Sequence, residues 1–284
     1  MRTLRLLVFA LLLSGVSFVQ TAQPIAPQIV EISCGHLHLK AFLWKPSGPG
    51  PFPAVLFNHG SGDTDAAHTA GMPITEAAEK LAPIFLKHCY ALLYLFRRGQ
   101  GLSADQAPFM QDVLQREEAT KGKDARQHLQ FILLTTDQLD DVMAALSYLK
   151  TAPGIDVHRI AVAGHSFGGQ LTLLAAGRDT SLRAAVTFAA AANSWERSPE
   201  LRELLFASVR KSSAPIMLTH ASNDYNTAPG RDLAAELERL RKPHLLKIYP
   251  PVGQPPDGGH NALYEAMPLW EDDVFKFLDE YVQR

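Results

Sequence analysis

Two cysteines in 284 residues are too few for a disulfide framework. Cys34 and Cys89 could form one pair in an exported chain, and Cys89, just before an apolar run, reads as a small buried hydrophobe. No Cys/His cluster with metal-ligand spacing occurs, so no metal is expected. His36 and His38 alternate along one strand without carboxylate or cysteine partners and read as solvated side chains. Neither sign of charge dominates: 27 Lys and Arg against 29 Asp and Glu give −2, with no run of like charge. That balance gives no electrostatic basis for nucleic-acid or anionic-membrane partners. Internal repeats and sustained heptads are absent too. The one conspicuous apolar run, Leu6 to Val19, is short for a span and follows Arg2 and Arg5. It reads as the h-region of a signal peptide over residues 1–22. The expected mature chain, 23–284, is then a single exported domain, periplasmic or secreted, without a stable membrane anchor.

What is present is an alternation of short apolar runs with helical stripes. Strands are predicted at Ile29–Ile32, Leu37–Trp44, Ala54–Phe57, Ala91–Phe96, Ile160–Ala163, Ala184–Phe188, Pro215–Leu218 and Leu245–Tyr249. Most are apolar on both faces, as parallel strands covered by helices must be. Helical spacing marks Thr75–His88 despite Pro83, the stripe Leu139, Val142, Met143, Leu146 and Leu149, the stripe Leu233, Leu237 and Leu240, and a final helix through Val274, Phe275, Leu278 and Tyr281. Thr135 and Gln138 have the spacing of a capping box for the second of these. The predicted architecture is α/β, one mostly parallel sheet with helices on both faces and an antiparallel edge formed by the first two strands. Residues 104–135 break the rhythm. They are polar and strandless, and are expected to form a lid-like helical insertion near the site, a surface insertion being the alternative. Asn193 to Ser213 is a mixed helical segment whose Trp195 and Phe206 are expected to wall a pocket.

One stretch carries chemistry. Ile160 to Ala163 runs directly into Gly164-His165-Ser166-Phe167-Gly168, and helix-compatible Leu171, Leu174 and Ala175 follow. A G-x-S-x-G between strand and helix puts its serine on a sharp, exposed turn, which makes Ser166 the candidate nucleophile. A serine hydroxyl needs a base, and the base an orienting carboxylate. In the chain order that accompanies this elbow, the acid comes next and the histidine last. Asp224 follows the seventh predicted strand, with Asp232 inside the next helix a weaker competitor. His260 is the sole histidine beyond the last strand, in Asp257-Gly258-Gly259-His260. His165, as the elbow's variable residue, points away from the position of a base. The oxyanion needs two N–H donors. Phe167, next after the nucleophile, supplies one, and Ser61 in Asn58-His59-Gly60-Ser61-Gly62 is assigned the other.

Taken together, Gly-His-Ser-Phe-Gly-Gly, His-Gly-Ser-Gly, Arg97-Arg98-Gly99-Gln100-Gly101, Asp224 and Gly-Gly-His260 resemble the α/β-hydrolase superfamily. The chain is most similar to its dienelactone hydrolase-like and prolyl-oligopeptidase-like branch, over nearly everything after Ile29. It carries Ser166 where dienelactone hydrolases proper carry cysteine, and lacks the propeller of prolyl oligopeptidases. The resemblance implies the α/β-hydrolase fold and a serine hydrolase acting on a carboxylic ester or short peptide-like small molecule through an acyl-serine, without metal or organic cofactor. A peptidase or an acyltransferase would use the same residues. A non-catalytic binding protein on this scaffold would have no need for all three.

Overall fold

In the computed structural model, which describes residues 25–61, 72–254 and 258–283, the chain builds one eight-stranded sheet. The expected signal peptide lies outside the described residues. Strands β1 (Gln28–Cys34) and β2 (Leu37–Trp44) form the antiparallel edge, and β2 pairs antiparallel with β4 (Ala91–Phe96). Parallel pairings then run from β4 to β3 (Phe52–Asn58), β5 (Ile155–His165), β6 (Ala184–Phe188), β7 (Ile216–Ala221) and β8 (His244–Tyr249). The order is β1-β2-β4-β3-β5-β6-β7-β8, so the strand bearing the elbow is central.

Period-2 alternation divides the core into two layers. Leu56, Leu93, Val162 and Leu218 point to one side, while Phe57, Tyr94, Ala163 and Met217 point to the other. The first layer is covered by α4 (Asp137–Leu149), α5 (Phe167–Arg178), α6 (Pro199–Lys211) and α7 (Ala228–Arg239). The second is covered by α1 (Ile74–Lys87) and the last helix, Met267–Val282. Pro83 is tolerated inside α1 because it and Glu79, whose carbonyl it leaves without an intrahelical donor, are both exposed to water.

The 104–135 segment is helical. After a 3₁₀ turn at Gly101–Gln106 come α2 (Met110–Lys121) and α3 (Lys123–Thr135), joined at Gly122. Other expectations are corrected. Thr135 does not cap α4: its hydroxyl donates back to the Phe131 carbonyl inside α3, and the Gln138 side chain turns inward to Arg97. Cys89 is exposed, not buried. It occupies the left-handed position that closes α1 (φ 62°), with Tyr90 N–H returning to the Phe85 carbonyl. Both cysteines are free thiols. His36 belongs to the β1–β2 turn. Trp195 is core: 1 % exposed, its indole N–H donates to Asp232 and its ring packs on Phe206. A small helix α8 (Ala262–Glu265) precedes the last helix, α9 (Met267–Val282).

Candidate active site

Ser166 sits between β5 and α5 at φ 54°, ψ −115°, a conformation that L-residues rarely adopt outside strained functional turns. Its N–H donates to the Phe188 carbonyl at 2.8 Å, which ties the turn to the end of β6. The turn exists because its flanks lack side chains. A Cβ on Gly164 would collide with the Gly168 carbonyl, and a Cβ on Gly168 with the carbonyls of Asn58 and His59. Elbow and β3 therefore approach to backbone contact, bringing the loop after β3 beside Ser166.

That loop is oriented from behind. Arg97, fully buried, donates to the carbonyls of His59 (2.9 Å) and Gly60 and to Gln138 Oε1 (2.9 Å). Burial lowers its pKa to about 10, still far above neutrality, so the guanidinium stays charged. The Gly60 carbonyl and the Ser61 N–H belong to one trans peptide, so holding the carbonyl on Arg97 turns the N–H away from it. Neither Ser61 N–H nor Phe167 N–H has an acceptor among the described residues. Arg98 braces the neighbouring turn by a forked pair to Asp141.

The other two predicted residues arrive from loops at the carboxyl ends of β7 and β8. Asn223 links those loops, donating to the Val252 carbonyl at 2.8 Å and accepting from Val252 N–H at 2.9 Å. Asp224 Oδ1 accepts from Tyr225 N–H (2.8 Å) and from His260 Nδ1 (2.7 Å). His260 Nε2 lies 2.9 Å from Ser166 Oγ. A carboxylate only accepts, so the proton is on Nδ1, and in the neutral ring Nε2 is left to accept from the serine hydroxyl. Ser166, His260 and Asp224 thus form one hydrogen-bonded line, assembled from positions far apart in sequence.

Sequence reasoning missed His220. It lies next to last in the buried strand β7 and gives its Nδ1–H to Asp224 Oδ2 at 2.7 Å, so the carboxylate holds two imidazoles. Burial pushes the Asp224 pKa up, but the bonds from His220 and His260 outweigh it and hold it near 2. The available signal was a histidine in a strand that is mostly apolar, four residues before the acid. His165 is not the base: its Nε2 donates to the His260 carbonyl at 2.8 Å, and burial, then the neighbouring His260, drop its pKa to about 3. Tyr225 lays its ring against His260 with centroids 4.5 Å apart.

Two cavities meet at Ser166. One, of about 360 Å³, runs under α2 and α3. The other, of about 490 Å³, lies beside His260, Tyr225 and Tyr264. Among the described residues, no group of three or more His, Cys, Asp or Glu could hold a metal ion.

With that geometry in place, the family model for dienelactone hydrolases matches residues 107–254, more than half of the chain, including Ser166 and Asp224. The chain belongs to the dienelactone hydrolase family. His260 lies beyond the matched stretch. A curated relative, the quorum-quenching protein AidA of Acinetobacter baumannii (strain MDR-ZJ06), is 27% identical over 164 residues, 58% of this chain and 44% of that protein. The chain thus spans less than half the length of the relative it matches. Among solved structures, the acylaminoacyl peptidase of Pyrococcus horikoshii superposes with a TM-score of 0.64 at 17% identity, covering 93% of this chain and 42% of that one. The dienelactone hydrolase of Anabaena variabilis ATCC 29413 superposes with a TM-score of 0.59 at 19% identity, covering 90% and 99%. These likenesses establish the α/β-hydrolase fold.

Proposed function

We propose that this member of the dienelactone hydrolase family is a serine hydrolase cleaving carboxylic esters of small molecules through an acyl-serine intermediate. The observation that carries the reading is the unbroken Ser166–His260–Asp224 line at a left-handed elbow, beside which the Ser61 and Phe167 N–H groups have no acceptor among the described residues. In the first half-reaction His260 Nε2 takes the Ser166 proton as Oγ bonds to the acyl carbon. The carbonyl electron pair moves onto the oxygen, which accepts from Phe167 and Ser61 N–H. As the pair returns, the bond to the alcohol breaks and His260 delivers its proton to the departing oxygen. Water then repeats the sequence, releasing the acid and restoring Ser166. Asp224, ionised over the whole neutral range, holds the imidazole tautomer and stabilises its charge.

The test is fluorophosphonate labelling together with p-nitrophenyl ester turnover. Wild-type protein is expected to label on Ser166. Ser166→Ala should abolish labelling and lower kcat by about 10⁴-fold or more, with an almost unchanged melting temperature. Labelling that survives in Ser166→Ala would place the nucleophile elsewhere and overturn the proposal.

A further inference from the structure

The two cavities that meet at Ser166 differ in chemistry, and the direction of the hydrogen-bonded line decides which part of a substrate each receives. When the oxyanion faces Phe167 and Ser61, the leaving oxygen must lie toward His260 Nε2, from which it takes its proton. The acyl substituent then takes the remaining direction. The cavity of about 360 Å³ contains both donor residues and not His260, so it is the acyl side. The cavity of about 490 Å³ contains His260, so it is the alcohol side.

The acyl side carries four amides, Gln111 from α2, Gln127 and Gln130 from α3, and Gln170 from α5. Arg126, Arg197 and an apolar wall of Phe131, Leu134 and Leu201 line it as well. The side-chain amides of Gln111 and Gln127 have no partner among the described residues, and Gln170 uses only its N–H, toward Ser194 Oγ at 2.9 Å. No carboxylate lines this cavity. Covering such amides with a saturated chain removes their water and returns nothing, whereas a group that both donates and accepts replaces it. The alcohol side sets Met72, Ile74, Tyr225 and Tyr264 together, a surface for an apolar ring, with Asn261 and Glu265 also in its lining. At about 360 Å³ the acyl cavity is at the small end of ligand sites.

Resting on the acyl-serine reading, we infer that the substrate class is an ester between a short acyl group bearing a hydroxyl or amide and an apolar, aromatic alcohol. Hydrolysis consumes one water and returns the polar carboxylic acid and the free alcohol.

The experiment compares butanoyl and 3-hydroxybutanoyl esters of ethanol and of benzyl alcohol, each kcat/KM normalised to the ester's hydroxide-catalysed rate. The hydroxylated acyl group and the benzyl alcohol should each be preferred by about tenfold. Gln127→Leu/Gln130→Leu should collapse the acyl ratio and not the alcohol ratio, and Tyr225→Ala should do the reverse. Should the double variant fail to fold, as judged by its melting curve, single Gln127→Leu carries the same comparison. A preference for butanoyl, or ratios that respond to the opposite variants, overturns the inference. Fluorophosphonate labelling of the same preparations keeps the two questions apart. Labelled protein with the wrong ratios refutes only the substrate class, and unlabelled protein refutes the hydrolase reading beneath it.

Discussion

The floor of the site and its roof are built differently. In α5, behind the elbow, ten of twelve residues are buried, and the strands it packs on are among the most enclosed in the molecule. In the α2–α3 pair, which roofs the acyl cavity, two of twelve and one of thirteen are buried. The roof's ion pairs, Lys121–Glu117 and Arg126–Glu118, are exposed on at least one side, where such pairs contribute about 0–1 kcal/mol. Elements with few buried contacts open locally at lower free energy than the core. The difference separates two tasks under the proposed function. The groups assigned to proton transfer are held by backbone contact and buried hydrogen bonds, while those assigned to substrate selection sit on a pair of helices with few buried residues.

A matched pair of glycine substitutions tests this separation most severely. In Gly168→Ala the new Cβ meets the Asn58 and His59 carbonyls, backbone that cannot yield without separating elbow from β3. A destabilisation of about 4 kcal/mol or more is expected, with loss of probe labelling. Gly122→Ala in the roof meets no neighbour, and only its left-handed backbone (φ 89°) resists the change. Its effect should be about 1–3 kcal/mol, the cost of a non-glycine residue in that backbone region. Urea denaturation reads both. Equal losses would mean that roof and floor unfold as one unit and that the contrast has no energetic content.

Much of the floor was legible in the sequence because its constraints are local. An apolar run, glycines at fixed offsets and a following helix suffice to predict the turn at Ser166, and strand order then places Asp224 and His260 in the right loops. What escaped was decided by three-dimensional packing. Cys89 precedes a buried strand and so reads as core, yet closing α1 requires a left-handed residue that faces water. Trp195 reads as a pocket wall, but a hydrogen bond to Asp232, distant in sequence, draws it into the core. The spacing of Thr135 and Gln138 fits a cap, but the buried Arg97 claims the glutamine. His220 was passed over because its one local signal, a strand histidine four residues before the acid, also fits a histidine that merely packs.

Acid should act on the floor before the roof. His165 is held neutral down to about pH 3, and burial, reinforced by Arg97, keeps His59 well below its ordinary value. In the unfolded chain both take protons near pH 6.5, so the unfolded state binds more protons as pH falls. Stability is therefore full above about 6.5 and declines steadily toward 3. Asp224, held near 2, adds a further loss as pH falls from its ordinary carboxylate range toward 2. His165 alone accounts for about 3 kcal/mol at about pH 4.5. Urea midpoints measured across this range should fall for the wild type and fall less for His165→Gln, whose amide can still donate to the His260 carbonyl. Identical slopes would remove His165 as a source of acid sensitivity.

The smallest effect tests whether the floor's second imidazole works through the first. Asp224 Oδ2 has His220 as its bonding partner, whereas Oδ1 is shared by Tyr225 N–H and His260. Removing the His220 donor leaves a buried carboxylate oxygen unpaired, which favours protonation and frees the carboxylate to rotate away from His260. His220→Leu should therefore lower kcat by about tenfold with little change in KM, because no atom of His220 reaches the acyl cavity. His220→Asn places an amide N–H where Nδ1 stands and should restore most of the loss. A packing role predicts the opposite ranking, since leucine fills the apolar strand position better than asparagine. Roof variants supply the contrast, as Phe131→Ala should alter KM and acyl preference with kcat nearly preserved. If His220→Leu changes KM instead, or if asparagine fails to rescue kcat, His220 belongs to the packing of β7, and the positioning of Asp224 rests on Tyr225 and His260 alone.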